Sequence, residues 1–209
     1  MTFSLNEVEA LAKRATRGAG YPWGLAEEAG KATRWLCARG LDGTGELAKL
    51  LEMNLASALE THALRDLRAP WQASEVLCPL LAGAALSDHA GTLAHGPLRM
   101  QQVARPLVMV PFAAAAARQA RSLVTVSSGN WSAVTDGTDL SLSGPAPRNA
   151  DALSVESGGR LAVPAPRRSR AVPDPAHWAV LNRFAHRTYA PATEESRRLG
   201  AGSAASDND

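Results

Sequence analysis

The 209-residue chain has no isoleucine, only two cysteines, only three lysines, and aromatic residues at 5%. Each scarcity excludes something. Two cysteines cannot build a disulfide scaffold, and neither Cys37 nor Cys78 sits in a CxxC pair or beside a histidine at zinc-ligand spacing. They read as two buried thiols of a reducing compartment, with a nucleophilic cysteine as the alternative, which would need a base or a helix N-terminus nearby. No stretch approaches the roughly 18–20 uninterrupted apolar residues a bilayer helix needs, and the N-terminus lacks a basic and then apolar leader pattern. The expectation is a cytoplasmic protein with no membrane partner. The glycines have no period of three, and apolar content is ordinary, so collagenous and wholly disordered classes are out.

Charge is nearly balanced: 22 basic residues against 20 acidic ones, net +2. A slight surplus spread along the chain is no footprint for nucleic acid, which needs clustered cations. Nineteen of the basic residues are arginine and 41 residues are alanine. With the missing isoleucine, this points to a GC-rich bacterial genome before it points to a function. Because alanine supplies so much of the 45% hydrophobic content, the larger apolar side chains available for a core are fewer than that figure suggests.

The N-terminal third reads as helical. Ser4-Leu5-Asn6-Glu7 fits a capping box, and Leu5, Val8, Leu11 and Ala15 share a helical face. Gly18-Ala19-Gly20 ends that helix and Pro22 starts the next, with Leu25, Ala29, Ala32 and Leu36 as its apolar stripe. Gly30 in mid-helix costs roughly 1 kcal/mol against alanine, which predicts close packing there by another element or a ligand. Thr44 is expected to cap a third helix extending toward Leu67, and Val76–Leu86 to include a short buried helix.

After Gly96 the pattern changes. Leu107–Val110 reads as a buried strand, Phe112–Arg121 as a helix lying close on a sheet, and Leu123–Val126 as a second strand. Asp136-Gly137 between alternating segments is a hairpin signal, and Ala152–Ser157 with Arg160–Pro164 is expected to form another pair around Gly158-Gly159. Residues 144–151 and 164–175 read as loops. Asp174 and Pro175 open a last helix carrying Trp178, Leu181, Phe184 and Ala185. The fold class expected is α+β (mixed α/β): an N-terminal helical layer over 1–69, a mixed, mostly antiparallel sheet with one crossover over 98–164, and a C-terminal helix over 174–188 packing back. At this length residues 1–199 are expected to form a single domain, with 200–209 as a tail.

Two segments resemble a known family. Ser4–Glu9, leading through Arg17-Gly18-Ala19-Gly20 to Trp23-Gly24-Leu25-Ala26-Glu27-Glu28-Ala29-Gly30, is similar to the opening signature of a bacterial family catalogued as domain of unknown function 3726. Thr188–Arg197, followed by Gly200-Ala201-Gly202 and Asp207-Asn208-Asp209, resembles its C-terminal signature. The resemblance implies no reaction, cofactor or catalytic residue, but it implies that the polar C-terminal segment is more than an idle end.

Three polar clusters are candidate sites. Trp23 and Gly24, with Gly20 before them, stand at a helix start whose amides suit an anion, although Glu27 and Glu28 would repel one. Asp88, His89 and His95 lie in a glycine-containing loop. Two histidines fall short of a metal site, so no metal is assigned, and His89 is instead a candidate acid or base. Arg183, His186, Arg187, Tyr189, Glu194, Glu195 and Arg197 form the third. There Arg187 and Arg197 would bind a carboxylate or phosphate, and His186, Glu194 or Glu195 would move a proton. Ordinary helix caps, surface histidines and a salt-bridged helix end are the competing structural readings. The functional expectation is an enzyme, or enzyme subunit, acting on a small anionic metabolite with no cofactor identified. The alternative is a non-catalytic interaction protein whose C-terminal tail docks on a partner or a neighbouring subunit of a homo-oligomer.

Overall fold

The computed structural model describes residues 1–189. The expectations placed on Glu194, Glu195, Arg197 and the 200–209 tail lie outside the described residues.

The chain begins with a two-residue strand, β1 (Phe3–Ser4), and turns directly into α1 (Leu5–Gly18). The capping box forms: the Glu7 amide donates to Ser4 Oγ at 3.2 Å, and the Ser4 amide donates to Glu7 Oε2 at 2.7 Å. These bonds hold the Glu7 carboxyl below its usual pKa. Helix α2 (Trp23–Ala38) follows, packed along α1. They approach closely at Gly30, where a methyl group would lie 3.0 Å from the Glu9 carbonyl. The cost of a mid-helix glycine thus serves helix packing, not a ligand.

Helix α3 (Gly43–Glu52) packs on α2 and on α6 (Pro175–His186), and α6 in turn lies against α1. Two expectations change here. The cap of α3 is Asp42, not Thr44: its Oδ1 accepts the Gly45 amide at 2.8 Å, and Thr44 is drawn inside the first turn, donating its hydroxyl to the same oxygen. The helix also stops well before Leu67. Asn54 adopts φ +55°, a left-handed conformation that asparagine tolerates, and Leu55–His62 follows as two 3-10 turns separated by a kink at Ala58. The C-terminal helix returns onto the N-terminal layer as expected, capped by Asp174 Oδ1, which accepts the Ala176 amide at 2.7 Å.

Helix α4 (Pro79–Asp88) and α5 (Val110–Ala120) cross at Gly83, where the Phe112 ring occupies the space a side chain would need. The sheet contains β2 (Leu98–Ala104), β3 (Val124–Ser128), β4 (Trp131–Thr135), β5 (Leu140–Ser143) and β6 (Asn149–Ser157), in the order β2-β6-β3-β4-β5. All neighbours are antiparallel, so β2 and β3 run parallel with β6 between them, and α5 supplies the one crossover. The outer edge of β2 carries two parallel bridges from the preceding loop, Trp71 to Met100 and Leu77 to Val103. The α+β expectation holds.

Local readings fail where proline or a side-chain hydroxyl decides the backbone. Leu107–Met109 is a 3-10 turn running into α5, not a strand: Pro106 and Pro111 both occupy helix-start positions, where a missing N–H costs nothing. Asn149–Asp151 belongs to β6, not to a loop. Arg160–Pro164 is no strand either. It crosses the outer face of the sheet, over a row formed by Thr125, Val134 and Ser141. The Thr125 hydroxyl donates to the Gly158 carbonyl at 2.8 Å, and that of Ser141 to the Val163 carbonyl at 3.0 Å. The last short strand, β7 (Arg170–Ala171), pairs with β1. One continuous apolar cluster runs from α1, α2, α3 and α6 through α4 and α5 to the inner face of the sheet, with Trp71, Trp131, Leu50 and Met109 among its most buried members.

Candidate functional site

Among the cavities, the one richest in chemistry opens where α2 ends and α3 begins. It holds about 610 Å³, within the range of small-ligand sites. Gly40, at φ +71°, turns the chain out of α2. Gly43 then lets α3 start directly against α2, because a methyl there would lie 2.6 Å from the Thr33 carbonyl. This junction places Cys37, Asp42 and Thr44 on one wall. The opposite wall is the strap 167–173, tied down at both ends. The Arg168 amide donates to the Ala38 carbonyl at 2.8 Å, Arg170 donates to the Thr2 carbonyl at 3.1 Å, and Ala171 pairs with Phe3.

Arg167, Arg168 and Arg170 therefore line a cavity whose lining contains one carboxylate, Asp42. Arg167 is engaged by Asp139 at 2.7 Å, whereas the Arg168 guanidinium has no ion pair among the described residues. Behind Asp42 stands His177, from the first turn of α6, with Nδ1 3.2 Å from Asp42 Oδ2. The two atoms are close but not aligned for a hydrogen bond, and Nδ1 is a buried nitrogen with no other partner. Cys37 is a poor nucleophile as it stands. Burial pushes its thiol pKa up, outweighing the amides of Thr44 and Gly43 that would favour the thiolate. The arrangement can hold an oxyanion between guanidinium groups, with the Asp42–His177 pair beside it to accept or return a proton.

The residues singled out from sequence fall in other places. Trp23 is 58% exposed at the start of α2, flanked by Lys13 and Arg17 at 5.8 and 5.3 Å from its ring. Gly24 is open to solvent, and Gly20, at φ +107°, makes the turn before it. From the third cluster, Tyr189 accepts a 2.7 Å hydrogen bond from Arg14 and meets the His186 ring edge-on at 5.2 Å. Arg187 lies over the Phe184 ring at 4.6 Å. The first and third clusters thus both rest on α1, through Lys13, Arg14 and Arg17.

His89 is elsewhere. It lines a separate cavity of about 340 Å³ with His95, Trp71 and Thr92, to which α6 contributes nothing. Its Nδ1 is 3.0 Å from the Ala85 carbonyl, which fixes the proton on that nitrogen and leaves Nε2 as the acceptor. The structure therefore joins His89 to His95 but not to His186. Among the described residues no three His, Cys, Asp or Glu side chains converge as metal ligands.

Sequence reasoning overlooked Asp42, His177 and the arginine strap. One signal was readable: Arg167-Arg168-Ser169-Arg170 is the densest cationic run in the chain, within a proline-punctuated loop. His177 carried none, because its meeting with Asp42 depends on α6 returning across the whole chain.

Residues 3–74 match the family model described as Protein of unknown function (DUF3726), the family that the opening segment resembles. The match spans α1, α2, α3 and the 3-10 segment, and so includes the Cys37–Thr44 wall but not the strap. No curated protein and no solved structure matches the chain.

Proposed function

Since the matched family carries no assigned activity, we propose from the geometry that this protein binds a small metabolite bearing a carboxylate or phosphate in the cavity between the α2–α3 junction and the arginine strap. One observation carries the reading. In a chain of net charge +2, three arginines within four residues line the same cavity as the start of a helix, whose dipole favours negative charge. The substrate class is the one expected from sequence, but the residues differ: Arg168 and Arg170 take the role expected of Arg187 and Arg197. Asp42, backed by His177, takes the proton-transfer role expected of His89 and His186. If the protein is an enzyme, that pair is its acid–base group.

The test is thermal stability with orthophosphate and with small mono- and dicarboxylates, each against chloride at matched ionic strength. A ligand that binds only the folded form raises the melting temperature. The rise is expected in the wild-type protein and smaller in Arg168→Ala/Arg170→Ala, whose exposed side chains contribute little to stability without ligand. No rise with any anion, or an equal rise in the double variant, would sink the reading.

A second reading is favoured by a different surface. Trp23 and Tyr189 are both large, exposed and flanked by the cations of α1. Exposed aromatics set among arginines are typical of a protein interface. This supports an interaction or assembly role, with an acidic partner or a second copy of the chain. A Trp23→Ala variant that abolishes self-association in sedimentation, and leaves anion binding intact, would favour it.

A further inference from the structure

Helix α3 has a second cavity at its other end, of about 510 Å³, lined by Lys49, Glu52, Met53, Arg105, Arg148 and Asn149. We propose that this cavity is a separate binding site for an oxyanion group, phosphate or carboxylate, with Arg105 as its fixed donor and Lys49 and Arg148 as its free charges.

The argument begins with the backbone of Arg105. It has φ +42°, a left-handed conformation that is rare for a residue with a side chain, and it stands directly before Pro106. Such a conformation persists only where the surroundings over-determine it, and it clusters at ligand sites. Two contacts impose it. The Arg105 amide donates to the Arg148 carbonyl at 2.9 Å. Its guanidinium is gripped by Glu46 of α3, with Nε donating to Oε2 at 2.9 Å and Nη2 to Oε1. This pair is nearly closed to solvent, with side chains 11% and 14% exposed.

A bidentate clamp of this kind immobilises the guanidinium and consumes two of its nitrogens. Nη1 remains, with no hydrogen bond among the described residues and without being a buried orphan. It is a donor held in place on a side chain that lines a cavity. The charge around it is unevenly matched. Arg183 engages Glu52 at 3.2 Å, as Glu46 engages Arg105, whereas Lys49 and Arg148 have no carboxylate partner among the described residues. Four cations therefore face two carboxylates.

The carbonyl end of α3 works against an anion here, but only weakly, and Lys49 in that last turn offsets it. Two exposed cations without ion pairs among the described residues, beside one fixed fork, suit a tetrahedral or planar oxyanion better than a cation or an apolar group. The Glu46–Arg105 pair alone would be a sufficient tie between α3 and the sheet. It does not account for a cavity at its open side, nor for Lys49 and Arg148 beside it.

Titration of isotope-labelled protein with orthophosphate, followed residue by residue by NMR against matched chloride, separates this cavity from the one at the start of α3. Saturable shifts are expected at Met53, Arg105 and Asn149. In Lys49→Ala/Arg148→Ala, which leaves the Glu46–Arg105 pair intact, the affinity read at those residues should fall about tenfold or more. Any shifts at Gly40–Thr44 and Arg167–Ala171 should be unchanged. Shifts confined to the first cavity would overturn the proposal and leave the proposed function standing. Shifts at the second cavity alone would do the reverse. Non-saturating shifts matched by chloride would overturn this proposal as mere screening. Succinate in place of phosphate distinguishes a carboxylate ligand from a phosphate one.

Discussion

The two neighbours of α3, helix α2 and the sheet, hold it in different ways. Its first residues are placed by the absence of side chains: Gly43 lies against the backbone of α2, and the cavity beside it is walled by a strap that hydrogen bonds pin at its ends. Its tie to the sheet is made by charge instead, through the nearly closed Glu46–Arg105 pair, whose carboxylate stands on another side of the same first turn. Close packing leaves no freedom but needs no partner group. An ion pair tolerates a cavity beside it but fails if either member is lost. The protein therefore has one cavity whose shape depends on glycine and another whose shape depends on a carboxylate.

Removing the carboxylate should have the larger effect. Glu46→Ala strands the Arg105 guanidinium in a site largely shielded from solvent, with an expected loss of about 3–5 kcal/mol in urea unfolding. A loss below about 1 kcal/mol would show the pair to be solvated and the comparison empty, since that is the range of surface pairs. Crowding a helix contact comes second. Gly83→Ala places a methyl in the Phe112 ring, and overpacking of this kind costs about 1–3 kcal/mol. At this chain length the melting temperature should drop by about 2–4 °C for each kcal/mol. An unchanged melting temperature would mean that the α4–α5 crossing yields easily.

The smallest effect concerns the thiols. Cys78 is fully buried, with Tyr21 Oη 3.7 Å from its sulfur, whereas Cys37 borders the first cavity. Burial raises both thiols and the Tyr21 phenol above their ordinary values of 9.0 and 10.0. In each case the charged form is disfavoured only in the folded state. Stability is accordingly intact below pH 9 and falls as pH rises through the ordinary thiol and phenol range, where the unfolded chain ionises first. A thiol reagent at neutral pH should modify Cys37 before Cys78, and both rapidly once the protein is unfolded. Equal rates in the native state would show that the first cavity does not reach Cys37.

What could be read in the sequence was local and periodic. The Ser4 capping box, the Asp174-Pro175 helix start, the Asp136-Gly137 hairpin and the tight contact at Gly30 all formed, because each is decided within a few residues or by one missing side chain. Leu107–Val110 misled because a short apolar run has no period to distinguish strand from helix, and the prolines flanking it suit a helix start as well as a strand end. The polar sites were the least legible. Arg105 meets Glu46 across 59 residues, and Asp42 meets His177 only after the whole sheet has intervened. By contrast, the clusters visible as neighbours in sequence, such as Arg183 to Tyr189, lie along one exposed helix end.

The position of β6 has a consequence for the order in which the chain can fold during synthesis. It is the last strand of the sheet to be made, yet it is the one that joins β2 to β3. Until residue 157 has emerged, β2 has no sheet partner and the β3–β5 meander stands alone, with the apolar flank of α5 between them. The helices of the first fifty residues pack on one another sooner, although α1 and α3 still await α6. For as long as the sheet is being translated, the edge of β2 that will take β6 stays unpaired, while the 71–77 segment is bridged to its opposite edge.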